Sequence, residues 1–289
     1  VLGLLEVPHD LHPRHLTALG AQILAHGGDV VLGVTGGDTR TATRAGVEVD
    51  RHSPAIRTFR IGVPGVLDNL PQGGTIAFDP WLHSFDEIEK LETTVGEHGI
   101  SLQKTENLID LVWADQPAQP QGKIQPHSIE LAGETSESKR RKIGDELAGK
   151  DLAAAVLTLP DSIAWLLNIR GSDISNTPVA LCFAILHTDG KVGLFVDPDK
   201  CDDALRAHLG DEITLYPEAD FAAHLAALTG KTAVDRATAP VAVSDLLQNP
   251  VWETDPCILP KACKNPTEIA GSHAAHIRDG AAMAELLCW

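Results

Sequence analysis

Between Ala153 and Asp173 the pattern of apolar and polar positions changes three times. Ala153 to Leu159 is an apolar run, which predicts a strand buried on both faces. Pro160 has no N–H to give to a ladder, so the strand is expected to end there. Asp161 and Ser162 are N-cap types, and Ile163, Ala164, Leu166 and Leu167 then make the apolar face of a short helix. Asn168 to Asp173 break that helix, with Gly171 expected to supply a backbone angle that other residues resist. The loop holds an amide (Asn168), a cation (Arg170) and an anion (Asp173). A rigid strand and helix presenting a polar loop are a common way to place a site. The plainer expectation is an Arg170–Asp173 ion pair that pins the loop.

The same reading extends along the chain. Val30 to Val34 predicts a strand and Leu16 to Ala25 a helix. Thr75 to Phe78 is a short strand, and Ser84-Phe85-Asp86-Glu87 is a capping box that starts a helix running to about Val95. Gly96 and Gly99 bracket its exit, Ile100 to Lys104 is the next strand, and Asn107 to Val112 a short helix. Residues 116–126, QPAQPQGKIQP, have linker composition. Beyond them, Thr135 caps a helix over Ser136 to Leu147. Val179 to Leu186 and Val192 to Val196 are strands joined by His187-Thr188-Asp189-Gly190, and Asp-Gly between apolar runs signals a hairpin. Asp199 to Leu209 and Phe221 to Leu228 predict helices; Ile213 to Tyr216 and Thr232 to Val234 predict strands. Such alternation predicts an α/β fold with a mixed sheet. Asn265-Pro266-Thr267-Glu268 opens a last helix toward Trp289, with Ile269, His273, Ile277, Ala281 and Leu287 on one stripe.

Composition narrows the function. A net charge of −17 in 289 residues argues against a nucleic-acid partner, which needs a basic surface. No apolar run approaches a membrane span, so no membrane role is expected. Cys182, Cys201, Cys257, Cys263 and Cys288 are odd in number and lack CxxC spacing. That favours reduced thiols and a cytoplasmic setting, with Cys257 and Cys263 as packing residues. Residues 1–65 contain no Lys, and His9, His12 and His15 recur at three-residue spacing. Pro13 interrupts any helix that would align those imidazoles, so no metal site is expected there. Val34-Thr35-Gly36-Gly37-Asp38 lacks the Lys-Ser/Thr of a phosphate loop and reads as a turn. His273 reads as the edge of a helix face. Val1 in place of Met and the apolar ending Leu286-Leu287-Cys288-Trp289 suggest that the chain is cut at both ends.

PDSIAWLLNIRGSDISNTPVALCFAILH (160–187) resembles the second domain of the Xaa-Pro aminopeptidases, members of the creatinase/prolidase or "pita-bread" metallopeptidase family. GGTIAFDPWLHSFDEIEKL and TENLIDLVWADQPAQP resemble the end of that family's first domain, and AGETSESKRRKI the start of its second. LPKACKNPTEIAGSHAAHIRDGAAMAELLCW resembles the entry to its catalytic domain. Residues 1 to about 65 lack the tryptophan-containing loop expected of the family there. The resemblance implies an α/β fold: two creatinase-N-terminal-like domains with mixed central sheets flanked by helices, over 1–118 and 119–262. Residues 263–289 would be the first helix of a metallopeptidase domain.

By that resemblance the chain is the substrate-recognition and dimerisation portion of an enzyme that removes the N-terminal residue from Xaa-Pro peptides. Its partners would be peptides with proline second and a second copy of itself. The family's two Asp, His and two Glu, around a dinuclear divalent metal site with manganese as the expected metal, lie beyond these residues. No catalytic residue, metal ligand or cofactor is therefore expected in this chain, which alone would be inactive. Arg170, Asp173 and Asn168 are the substrate-side candidates: a guanidinium grips a peptide carboxylate by two hydrogen bonds, and an Asp takes a free amine. The alternative is a non-catalytic creatinase-like protein-binding module.

Overall fold

The computed structural model describes residues 30–31, 73–107, 109–110, 113 and 115–289. The expected helix over Leu16–Ala25, the His9/His12/His15 set and the Val34–Asp38 turn lie outside the described residues, as does part of the helix expected over Asn107–Val112. The chain divides into two compact units. One is Val1–Ala118 with Pro240–Ala242, and the other is Gln119–Ala239 with Val243–Trp289.

In the first unit, strands β1 (Val30–Val31), β2 (Thr75–Phe78) and β3 (Ser101–Lys104) pair in parallel in that order. Parallel neighbours need a crossover, and helix α1 (Phe85–Gly96) lies between β2 and β3 in the chain. The expected capping box is there: Glu87 N–H donates to Ser84 Oγ and Ser84 N–H to the Glu87 carboxylate, at 3.3 and 3.0 Å. Two of the helix's orphan N-terminal donors gain partners this way.

The second unit begins with β4 (Gln125–Pro126), α2 (Ile129–Ala132) and α3 (Ser136–Gly149). Next come β5 (Ala154–Leu157), α4 (Pro160–Leu167), β6 (Ile169–Arg170), β7 (Phe183–His187) and β8 (Val192–Phe195). Helix α5 (Asp203–Leu209), β9 (Ile213–Tyr216), α6 (Phe221–Ala227), β10 (Thr232–Val234) and β11 (Pro250–Trp252) follow. The last helices are α7 (Val241–Leu246), of which Val243 onward belongs to this unit, α8 (Ile258–Ala262) and the long α9 (Pro266–Cys288).

A six-stranded sheet of order β11-β10-β5-β7-β8-β9 forms its centre. β5–β7 and β7–β8 are antiparallel and the other pairs parallel, so the sheet is mixed, as the alternation of elements predicted. All four residues of β5 are buried. Side chains alternate across a strand, so Ala155 and Leu157 join the core under α3, α4 and α5, while Ala154 and Val156 join a second core with Phe195, Phe221 and Leu225. The Asp-Gly hairpin between β7 and β8 is present. Gly190 carries φ +81° there, a left-handed angle that glycine adopts without steric cost.

Several boundaries differ from the expectation, for identifiable reasons. Pro160 is the first residue of α4, preceded by an extended Leu159 that makes no side-chain cap. Proline's fixed φ suits that position, and Ser162 is buried in the first turn. β7 starts at Phe183, because residues 178–181 hydrogen-bond to Gly171 and Asp173 before the sheet begins. The helix expected from Asp199 is split: a 3₁₀ turn (Pro198–Lys200) precedes α5, which Asp202 caps through Leu205 N–H at 2.9 Å. All five cysteines are free; Cys257 is buried as expected, but Cys263 is exposed and packs in no core.

Candidate functional site

An eight-residue helix leaves four carbonyls without intrahelical partners at its C-terminal end. In α4 the Asn168 N–H turns back to Ala164 O and Trp165 O, and basic side chains also reach the carbonyls of Ala164, Trp165 and Leu167. Lys139 Nζ donates to Trp165 O at 2.9 Å, and Arg170 Nη1 to Ala164 O at 3.4 Å. The Nε2 of His208 lies 3.1 Å from Leu167 O, donating in the tautomer protonated there. These basic side chains come from α3, β6 and α5. They converge where the carbonyl ends concentrate negative potential. Lys139 also stands over the Trp165 ring, 4.4 Å from its centroid.

Asn168 is the residue that turns the chain out of α4. Its φ and ψ are 52° and 53°, the left-handed cap that asparagine tolerates better than most side chains. The amide is held at both ends: Nδ2 donates to Glu134 O and Oδ1 accepts from Lys139 Nζ, both at 2.8 Å. Gly171, expected to supply this angle, does not carry a positive φ. It is needed for space instead, because a Cβ there would sit 2.5 Å from Ala180 N and 2.7 Å from Val179 O.

Arg170 and Asp173 do not pair. Asp173 has a fully enclosed side chain that meets Lys200, itself 2% exposed, at 2.7 Å. Its two oxygens also accept from the backbone N–H groups of Leu181 (2.7 Å) and Gly122 (3.0 Å). One carboxylate thus joins the chain entering the unit, the loop after Gly171 and the turn before α5. Burial pushes the adjoining Cys182 thiol up to about 12. That thiol is a packing group with no thiolate to offer at neutral pH.

The guanidinium of Arg170 is anchored at one end only, Nη1 donating to Ile169 O at 2.7 Å as well as to Ala164 O. β4 and β6 form a short antiparallel ribbon in which Gln125 faces Arg170 and Pro126 faces Ile169. His127 continues that register through its N–H to Asn168 O at 2.8 Å. Gln125, His127 and Arg170 therefore share one face of the ribbon, while Ile169 enters the core. Partial burial lowers the pKa of His127, and the Arg170 and Lys139 cations lower it further. Burial lowers Lys139 and Arg170 too, with Glu268 acting against both shifts.

The structure brings Asn168 and Arg170 together around one helix end and sets Asp173 on a separate buried bridge. Lys139, His127, His208 and Lys200 were not singled out from the sequence. Lys139 sits in a run of charged residues that reads as a solvated helix face, and His127 follows a proline at the end of a linker. Neither position carries a local signal. Among the described residues no group of three or more His, Cys, Asp or Glu side chains is arranged to hold a metal ion, so those residues do not fit a dinuclear centre. Among the same residues no helix is long and apolar enough to cross a membrane.

The fold and this helix end define a class of protein: an α/β domain with a mixed central sheet, helices on both faces, and a polar loop after β5 and α4. The Creatinase/Prolidase N-terminal domain family matches residues 115–268. A probable Xaa-Pro aminopeptidase P of Coccidioides posadasii is 37% identical over 232 residues, covering 75% of this chain and 38% of the relative. One from Penicillium rubens is 32% identical over 273 residues, covering 87% and 44%. The crystal structure of X-prolyl aminopeptidase from Caenorhabditis elegans, described as a cytosolic enzyme with a di-nuclear active site, superposes with a TM-score of 0.73. It is 28% identical, with 88% of this chain and 44% of that one covered. The chain belongs to the creatinase/prolidase family, in its aminopeptidase P branch. It spans less than half the length of these relatives.

Proposed function

We propose that this chain is the substrate-recognition and assembly portion of an Xaa-Pro aminopeptidase, a cytoplasmic metallo-hydrolase that works as a homodimer. The observation that carries this reading is the 37% identity to an Xaa-Pro aminopeptidase P over three quarters of the chain. The dinuclear site of the Caenorhabditis enzyme supports a metal-activated water as the attacking group in the whole enzyme. The reading assigns this portion peptide contact and positioning. Of the three candidates, Arg170 retains free donors for a peptide. Asn168 and Asp173 act by fixing the backbone on either side of it.

The test is hydrolysis of Arg-Pro-Pro with added manganese, run on the 289-residue chain and on a chain of the relatives' full length. Activity in the longer chain alone supports the reading. Activity in the 289-residue chain alone would refute it, and silence in both would favour the protein-binding alternative. In the active form Arg170→Ala is expected to raise KM or lower kcat. Unchanged rates on several Xaa-Pro peptides would remove Arg170 from the substrate side.

A further inference from the structure

A guanidinium offers five N–H donors in a planar fork. In Arg170 only Nη1 is used, by Ala164 O and Ile169 O; among the described residues no group is within hydrogen-bond reach of Nε or Nη2. Neither atom is enclosed. Arg170 shares its face of the ribbon with His127 and Gln125, and the His127 ring likewise has no hydrogen-bond partner among the described residues. Lys139 and Arg170 are the cations acting on His127, and His208 adds an imidazole; the carboxylates nearby are Glu268, which acts on all three of His127, Lys139 and Arg170, and Glu134, which acts on Lys139 and pairs with Lys142 at 2.6 Å. Glu268 is already committed: it accepts from Asn265 N–H at 2.9 Å in the capping box of α9.

We propose that the Nε/Nη2 edge of Arg170, with the His127 ring beside it, binds the C-terminal carboxylate of a short peptide. A planar carboxylate meets the two parallel donors of that edge, which is the geometry in which arginine binds such groups most strongly. The inference rests on the reading of this chain as part of a peptidase only for its choice of a peptide as the carrier of the carboxylate.

His127 makes the binding pH-linked. The groups acting on it are Arg170 from β6, Lys139 from α3, His208 from α5 and Glu268 from α9. Burial and the cations keep the imidazole neutral near pH 7. An arriving carboxylate adds a negative charge beside it and favours its protonation. Proton uptake on binding means that affinity rises as pH falls through the range just below the ordinary histidine value of about 6.5.

The experiment is an NMR titration of the 289-residue chain, following the Arg170 Nε–H and His127 ring signals. The probes are Ala-Pro-Ala, its C-terminal amide, Ala-Ala-Ala and inorganic phosphate. The free acid is expected to give saturable shifts at both groups and the amide to bind at least about tenfold more weakly. Arg170→Lys keeps the charge but loses the fork and is expected to weaken the acid about tenfold. His127→Gln is expected to keep binding and abolish its rise at low pH. Equal binding of acid and amide, or phosphate binding without peptide-acid binding, would overturn the proposal. The acid–amide contrast is read on the unaltered chain, so it stands even if Arg170→Lys loosens the end of α4. Equal affinity for Ala-Ala-Ala supports the carboxylate site whether or not the full-length protein cleaves Xaa-Pro bonds, so the two failures are distinct.

Discussion

Lys200 and Asp173 form an enclosed ion pair, and a double-mutant cycle on them tests what holds the Gly171 loop. Lys200→Met removes the ammonium but leaves the carboxylate with its two backbone donors, Leu181 and Gly122. Breaking a buried pair from one side costs about 3–5 kcal/mol. The lower end, about 3 kcal/mol, applies here because those N–H groups still stabilise the anion. Asp173→Asn strands the ammonium and gives up one acceptor oxygen, so about 4 kcal/mol is expected. The double variant leaves no unpaired charge and is expected to cost less than the two single losses together by about 2 kcal/mol or more. Urea unfolding gives the global values. Hydrogen exchange at the Leu181 and Gly122 amides gives the local ones, where 3 kcal/mol is roughly a hundredfold change in the open population. Additivity within about 0.5 kcal/mol would mean that the two residues act independently. In that case the bridge would not be what fixes the loop.

Other outcomes follow from neighbouring features. Gly171→Ala is expected to cost about 1–3 kcal/mol, measured by thermal or urea unfolding, because the added Cβ meets the backbone of Val179 and Ala180. Asp255 is 5% exposed, and burial raises its pKa, with Asp235 adding to the rise. A carboxyl whose folded pKa lies above its unfolded value favours the fold at low pH and loses that advantage as pH rises from about 4 toward the raised value. Asp255→Asn is therefore expected to flatten stability against pH over that range, read by urea midpoints at pH 4 and pH 7. Thiol labelling of the native chain is expected to be fast at the exposed Cys263 and Cys288 and slow at the buried Cys182, Cys201 and Cys257.

What the sequence disclosed and what it hid divide along the range of the interactions. The Ser84 and Asn265 capping boxes and the Thr135 cap are local, closing over three residues, and each stands where its residues predict it. The buried β5 run and the Asp189-Gly190 hairpin are equally local. The β4–β6 ribbon has two residues on each side, one of them proline, inside a stretch of linker composition. Pairing across 43 and 45 residues leaves no pattern that short to recognise. The left-handed turn fell to Asn168 where glycine was expected, because Asn168 gains two hydrogen bonds from α3 and its flank that glycine could not make. Lys200 and Asp173 are 27 residues apart, and nothing in the spelling of either segment pairs them. Of the candidate site, the loop was legible. The basic side chains that surround it were not, because three separate elements deliver them.

The manner in which α4 ends bears on the order in which this unit folds. A helix of eight residues is too short to persist alone in water. Its closing turn is held by Lys139, 26 residues upstream, and His208, 41 residues downstream. Loops of that length must close before the helix gains those partners. A peptide of residues 158–170 should therefore be a random coil by circular dichroism. In kinetic terms α4 belongs to the late side of the barrier: substitutions at its C-terminal end should speed unfolding far more than they slow folding.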